Sequence, residues 1–216
     1  MQFSPHRRQG FTLIEIMVII MIATVLVTLV FATSRRVMAR ANEARCAHNL
    51  RSLYQGFMLY ANDYNGKLPF GRRDPDVPDI NSSYYGGQYG KEFKAYIPGG
   101  NPGANTGYAE PYLCPSDLEP RSNTTRGFYG HSYGVNMTIC RDEYNRVIKW
   151  KYPARTFLLA DSKKDVISRS SPNINLEPRH RDGVNTLFLD GHVEWRTAPF
   201  PTWSEDRGFW VPDHER

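Results

Sequence analysis

Apolar and polar positions fall into distinct patterns along this chain. From Phe11 to Thr33 it reads FTLIEIMVIIMIATVLVTLVFAT, 23 residues with a single charge at Glu15. Soluble helices rarely stay apolar on every face for this long. As a helix the run is about 35 Å long at about 1.5 Å per residue, enough for a hydrocarbon core of about 30 Å. A secretory signal peptide has a shorter apolar core, about 7–15 residues, closed by a small-residue cleavage site. Here Ser34-Arg35-Arg36 follows and a helical pattern continues. The pattern predicts a transmembrane helix over 11–33 that remains in the protein as an anchor.

From Ser34 to Tyr64 there is no proline and one glycine, Gly56. Cys46, Leu50, Leu53, Phe57, Tyr60 and Tyr64 recur at steps of three or four, with Tyr54 and Ala61 beside them, while Arg45, Asn49, Arg51, Ser52 and Gln55 fill the other faces. That is one apolar stripe at helical period, so 34–64 is expected to continue the helix and lie on a domain core. Asn65-Gly66 ends it, and Pro69 bars its continuation.

Lys67 to His131 is rich in glycine, tyrosine, asparagine and proline, and reads as irregular loops with one short helix near Lys91–Tyr96. Its density of aromatic residues argues for packed loops over a disordered tract. Strand patterns come later, at Arg146–Trp150, Thr156–Ala160, Thr186–Leu189 and His192–Arg196. The last two flank Asp190-Gly191, a two-residue hairpin signal that sets Phe188 opposite Val193 and Thr186 opposite Trp195 on a core face, with Leu187 and Glu194 on the other. The expectation is α+β: a long N-terminal helix packed on a small antiparallel sheet in a head domain spanning 65–216.

Charge adds little. The formal charge is +5, of which Arg7 and Arg8 carry two, leaving +3 beyond the first ten residues. No basic stripe accompanies it, so no nucleic-acid partner is expected. No loop is dense enough in carboxylates to name a calcium site. The three cysteines, Cys46, Cys114 and Cys140, include no CxxC pair, and by themselves leave three disulfide pairings open.

Glu15 demands an explanation, because a carboxylate at the centre of an apolar helix costs about 2.5–3.5 kcal/mol to insert, less near its ends. Two accounts compete. It sits in the first turns, eased by the positive end of the helix dipole, or it meets a charge on another chain. The residues around it, Arg7-Arg8-Gln9 and then Gly10-Phe11-Thr12-Leu13-Ile14-Glu15, resemble the signal of type IV prepilins and type II secretion pseudopilins. The resemblance implies a leader over 1–10, removed after Gly10 by a prepilin peptidase at the cytoplasmic face. Phe11 would become the N-methylated N-terminus. Glu15 would pair with the N-terminal ammonium of a neighbouring subunit. Arg35, Arg36, Arg40 and Arg45 follow the span and, on the positive-inside rule alone, would hold the C-terminal side in the cytoplasm. The signal implies the opposite: an inner-membrane, single-pass protein with its head periplasmic or extracellular.

The stretch from His180 to Val193 holds the remaining candidate chemistry. His180, Asp190 and His192 are residue types that bind divalent metals or move protons. The simpler reading is a hairpin in which Asp190 serves the turn and His192 is an exposed strand residue. The stretch is also similar to the His-x9-Asp-Gly motif of prepilin-type proteins of planctomycetes and verrucomicrobia. Arg181–Leu189 supply the nine spacer residues. Cys46 with Asn49-Leu50, the block Tyr60–Gly66, Cys114–Asp117, Ser132–Asn136 and Pro153–Thr156 match the same family in blocks. It implies a Cys46–Cys114 bridge, with Cys140 extra.

The sequence therefore points to a structural subunit, a pseudopilin or minor pilin of a type II secretion or type IV pilus-like assembly. It is not expected to be an enzyme or to carry a cofactor. Its expected partners are a prepilin peptidase, other pilin subunits and the lipid bilayer. The rival reading is a membrane-tethered metal-binding or hydrolytic module built on His180, Asp190 and His192.

Overall fold

The structure is a computed structural model that describes residues 12–69, 96–97, 111–118, 132–139, 146–164 and 166–213, with the backbone alone at 32 and 33. The chain divides into two compact units, Met1–Arg40 and Ala41–Arg216. Helix α1, Leu13–Asp63, contributes residues to both.

In the first unit, Leu13, Met17, Met21, Val25, Leu29 and Phe31 are all exposed, and so are the apolar residues between them. Among the described residues this is the helix long and apolar enough to cross a membrane. Its polar side chains turn back on its own backbone. The Thr24 hydroxyl donates to Met21 O, that of Thr28 to Val25 O and that of Ser34 to Val30 O, each at 2.8 Å. A hydroxyl satisfied within its own helix can face lipid at little cost.

In the second unit, the predicted stripe is the core face of α1: Cys46, Leu50, Leu53, Phe57, Tyr60 and Ala61 are buried. The helix stops where Asn65 (φ 53°) and Gly66 (φ 76°) enter the left-handed region. There Gly66 N–H caps the end by donating to Ala61 O at 2.7 Å.

Five strands follow: β1 Tyr133–Asn136, β2 Phe157–Asp161, β3 Val166–Ile167, β4 Gly183–Phe188 and β5 Val193–Thr197. They form one sheet in the order β3-β1-β2-β4-β5. The β1–β2, β2–β4 and β4–β5 pairs are antiparallel, as expected, but β1–β3 is parallel, so the sheet is mixed. The chain leaving β2 crosses back over β1, and Gly134 makes room for it. A Cβ there would lie 2.6 Å from Lys164 O and 2.7 Å from Ser162 Cβ.

Both faces of the central strands are covered. Tyr133, Val135, Leu159 and Leu187 pack with the α1 stripe. Phe157, Ala160, Val184 and Phe188 pack with Phe200, Phe209 and Trp210 from the C-terminal segment. The register of β2 against β4 shifts between Phe157 and Leu159. That irregularity lets Leu158 and Leu159 join the same core while Ala160 returns to the other.

Two expectations need correction. Arg146–Trp150 is not a strand: Val147–Lys149 forms a 3-10 turn with no buried residue. Val147 and Trp150, three apart, pack against the core while Ile148 between them is exposed, a spacing that suits a 3-10 turn and not the alternation of a strand. The β4–β5 hairpin is also one residue out of the predicted register. Leu187 pairs with Val193, Thr186 with Glu194 and Asn185 with Trp195. The loop holds three residues, Leu189 to Gly191, because Phe188 N–H donates to His192 O at 2.9 Å and Gly191 N–H to Phe188 O at 3.0 Å. Gly191 at φ 91° supplies the left-handed residue such a loop needs. The helix expected near Lys91–Tyr96 lies largely outside the described residues.

Candidate functional site

Two places gather chemistry-bearing residues. The first is the start of α1. Thr12 and Glu15 form a reciprocal cap. The Glu15 carboxylate accepts Thr12 N–H at 2.8 Å and the Thr12 hydroxyl at 2.9 Å, and Glu15 N–H donates to Thr12 Oγ1 at 3.3 Å. A Thr-x-x-Glu spacing at a helix start satisfies donors that have no intrahelical partner. The carboxylate is thereby turned toward the N-terminal end of the helix. Gly10 and Phe11 lie outside the described residues.

The second place lies inside the second unit. Cys46 of α1, Cys114 of the 111–118 loop, Asp161 at the end of β2 and His180 before β4 converge, with one ligand atom of each within 4.8 Å of the others. All four are buried, at 0, 2, 0 and 3 % exposure. The Cys46 thiol donates to Asp161 Oδ1 at 3.2 Å, and Cys114 Sγ lies 3.2 Å from His180 Nε2. His180 Nε2 is 3.7 Å from Asp161 Oδ2. Tyr133 donates its hydroxyl to Cys46 Sγ at 3.4 Å, and Asn185 N–H donates to Asp161 Oδ2 at 2.7 Å.

Local structure fixes each side chain. Strand alternation puts Asp161 on the face of β2 opposite Ala160, toward α1. His180 is held by a tight turn whose central residues, Arg181 (φ 51°) and Asp182 (φ 61°), are both left-handed. The turn is closed by His180 N–H to Gly183 O at 3.1 Å and Gly183 N–H to His180 O at 2.9 Å. Trp195 Nε1 donates to the His180 carbonyl at 2.6 Å. Arg181 anchors the turn to α1 through Glu43, with Nε and Nη2 donating to the two carboxylate oxygens at 2.9 and 2.6 Å.

A second layer surrounds the four. Arg179 Nη2 is 2.8 Å from Asp117 Oδ2, and its Nη1 lies 4.0 Å from Asp161 Oδ1. Arg179 also donates to the carbonyls of Ser132 at 2.7 Å and Ser162 at 3.2 Å.

The acidities follow from this packing. Burial pushes the Cys46 thiol far up, reinforced by its contacts with Cys114 and the Asp161 charge. Cys114 goes the other way, to about 5: its contact with Cys46 outweighs burial, and His180 adds to it. Burial, with the Cys114 charge, raises Asp161 to about 7. For His180, burial works downward, but Cys114 and Asp161 together lift it above the ordinary imidazole value. Negative charge is therefore favoured on Cys114, beside an imidazole whose acidity the same neighbours lower. The pair is sealed from solvent, so the arrangement suits holding an ion or a bond better than attacking a substrate.

The three residues of the rival metal set lie in two different settings. His180 joins the buried cluster. Asp190 and His192 pair with each other at the hairpin, where Asp190 Oδ1 lies 2.5 Å from His192 Nδ1 and accepts His192 N–H at 3.1 Å. The His192 ring stacks on Phe188 at 4.3 Å between centroids. Cys46 and Cys114, the pair implied to bridge, are brought together as free thiols. Cys140 lies outside the described residues. Asp161 had gone unnoticed in the sequence; its signal is a lone carboxylate closing an apolar strand.

Residues 5–31 match the family described as the prokaryotic N-terminal methylation motif. No curated protein and no solved structure matches the chain. The match covers Arg7, Arg8, Gly10, Phe11, the Thr12–Glu15 cap and most of the exposed apolar run, so the chain carries an N-terminal methylation motif of the type IV prepilin kind at the start of a helix long and apolar enough to cross a membrane.

Proposed function

We propose that this chain is a non-catalytic structural subunit, a pseudopilin or minor pilin of a type II secretion or type IV pilus-like assembly. The observation that carries the reading is the methylation motif, continuous with the 13–31 stretch of α1, whose apolar residues are exposed and whose one carboxylate, Glu15, points to the helix start. Prepilin peptidase cuts after Gly10, and Phe11 becomes the methylated N-terminus. The ammonium of one subunit pairs with Glu15 of the next, since each buried charge alone is costly and together they offset that cost. The anchor helices pack against one another, and the heads lie on the far side of the inner membrane.

Intact-mass analysis of the membrane-extracted protein, from cells with and without prepilin peptidase, tests this. A chain beginning at methylated Phe11 only when the peptidase is present supports the reading. An uncut chain in both strains overturns it and leaves a plain membrane anchor.

A further inference from the structure

We propose that Cys46, Cys114, Asp161 and His180 bind one structural zinc ion. Four ligating side chains from four separate segments meet in one buried place, and the set is S2NO. With metal–ligand lengths of about 2.0–2.3 Å, the edges of a tetrahedral zinc site run about 3.3–3.8 Å. Cys46 Sγ to Asp161 Oδ1 and Cys114 Sγ to His180 Nε2, both 3.2 Å, and His180 Nε2 to the other carboxylate oxygen, 3.7 Å, are near that size, and one ligand atom from each side chain lies within 4.8 Å of the rest. Thiolate with imidazole and carboxylate in a tetrahedral set selects zinc over the harder, octahedral cations.

Charge supports the assignment. Two thiolates and one carboxylate carry three negative charges, and a divalent ion offsets two. The Arg179 guanidinium, 4.0 Å from Asp161, faces the remainder. The supporting hydrogen bonds resemble those that orient metal ligands: Tyr133 on Cys46 and the Asn185 amide on Asp161. A disulfide would use two of the four side chains and give the buried Asp161 and His180 beside it no shared role.

Four protein ligands make a closed site with no position for substrate, so the ion's role is to hold α1, the 111–118 loop and the sheet together. Binding releases to water whatever protons the two thiols, the imidazole Nε2 and the carboxyl carry, and changes no oxidation state.

The test uses the full-length protein, purified in detergent without added metal. Metal content is measured by mass spectrometry, and cysteine connectivity by non-reducing peptide mapping. The expected result is one zinc per chain, with Cys46 and Cys114 unbridged. His180→Ala and the gentler Asp161→Asn should each lower zinc about tenfold or more, and His192→Ala should leave it unchanged. Cobalt(II) added to the chelator-stripped wild type should give the intense visible absorption of a tetrahedral thiolate site, a readout that needs no variant to fold. A Cys46–Cys114 disulfide in metal-free protein overturns the proposal. So does zinc that survives Asp161→Asn and His180→Ala together.

Discussion

Tyr54 packs directly against Gly191. A Cβ on that glycine would sit 2.5 Å from Tyr54 Cε1, and the Tyr54 hydroxyl donates to Leu189 O at 3.0 Å. The β4–β5 loop is thus docked on α1 through a backbone surface that only glycine leaves bare.

Gly191→Ala should therefore be costly for two reasons. Its φ of 91° is one that side chains rarely adopt, worth about 1–2 kcal/mol, and the added methyl overpacks the Tyr54 ring, worth about 1–3 kcal/mol more. Gly66 is the control: at φ 76° it has nothing within 4 Å of a built Cβ, so Gly66→Ala should show the conformational cost alone. Thermal unfolding of the two variants should place Gly191→Ala clearly below Gly66→Ala. Equal midpoints would mean Tyr54 moves aside freely.

Arg179 is the next test of how the core is held. Its side chain is 5 % exposed and Asp117 is 8 % exposed. Arg179→Met leaves the Asp117 carboxylate buried without the guanidinium, while the Ser132 hydroxyl 2.7 Å away still donates to it. Removing one partner of a buried pair costs about 3–5 kcal/mol, whereas replacing both with apolar groups is much milder. In urea unfolding, Arg179→Met should fall by that order and Arg179→Met with Asp117→Leu should recover part of the loss. No recovery would show that Arg179 matters for its carbonyl contacts with Ser132 and Ser162.

The span, the α1 stripe and the hairpin strands were legible because each rests on a local period that burial reads directly. Strand β1 was not, because Gly134, demanded by the close approach of Lys164, lowers its strand character, and β3 is only two residues long. The hairpin register was missed because Asp190-Gly191 fits both a two-residue turn and the end of a three-residue loop; Gly191 against Tyr54 decides between them, and that contact is tertiary. The buried cluster was half legible. Cys46, Cys114 and His180 stood out by residue type. Asp161 did not, because a single carboxylate at a strand end has no motif of its own, while the spacing of His180 to Asp190 and His192 marks only a local turn. Ligands so far apart in the chain meet only once α1 lies on the sheet.

Asp190 and His192 should accordingly prove to be turn residues. Asp190→Ala removes the acceptor for His192 N–H, a contact worth about 1 kcal/mol at this half-exposed position. A small drop in thermal midpoint is expected, with the fold and any metal content kept. Wholesale unfolding or loss of metal in Asp190→Ala would return the His180, Asp190 and His192 set to consideration.

Glu15 carries the sharpest functional prediction, since its two roles can be separated chemically. Within its own chain it accepts Thr12 N–H and the Thr12 hydroxyl. Glutamine can keep an acceptor there, so Glu15→Gln should leave the helix start capped, while valine removes charge and cap together. Neither change hinders insertion, because losing a carboxylate from an apolar segment lowers the insertion cost. Both variants should therefore be cut and methylated as the wild type is, by intact mass. If the carboxylate's purpose is to meet a neighbour's ammonium, both should be missing from cross-linked oligomers and from any sheared filament fraction. If it serves only its own helix end, Glu15→Gln should assemble normally and Glu15→Val alone should falter. The comparison thus reads the charge apart from the hydrogen bond, and normal assembly of Glu15→Gln would remove the intersubunit role.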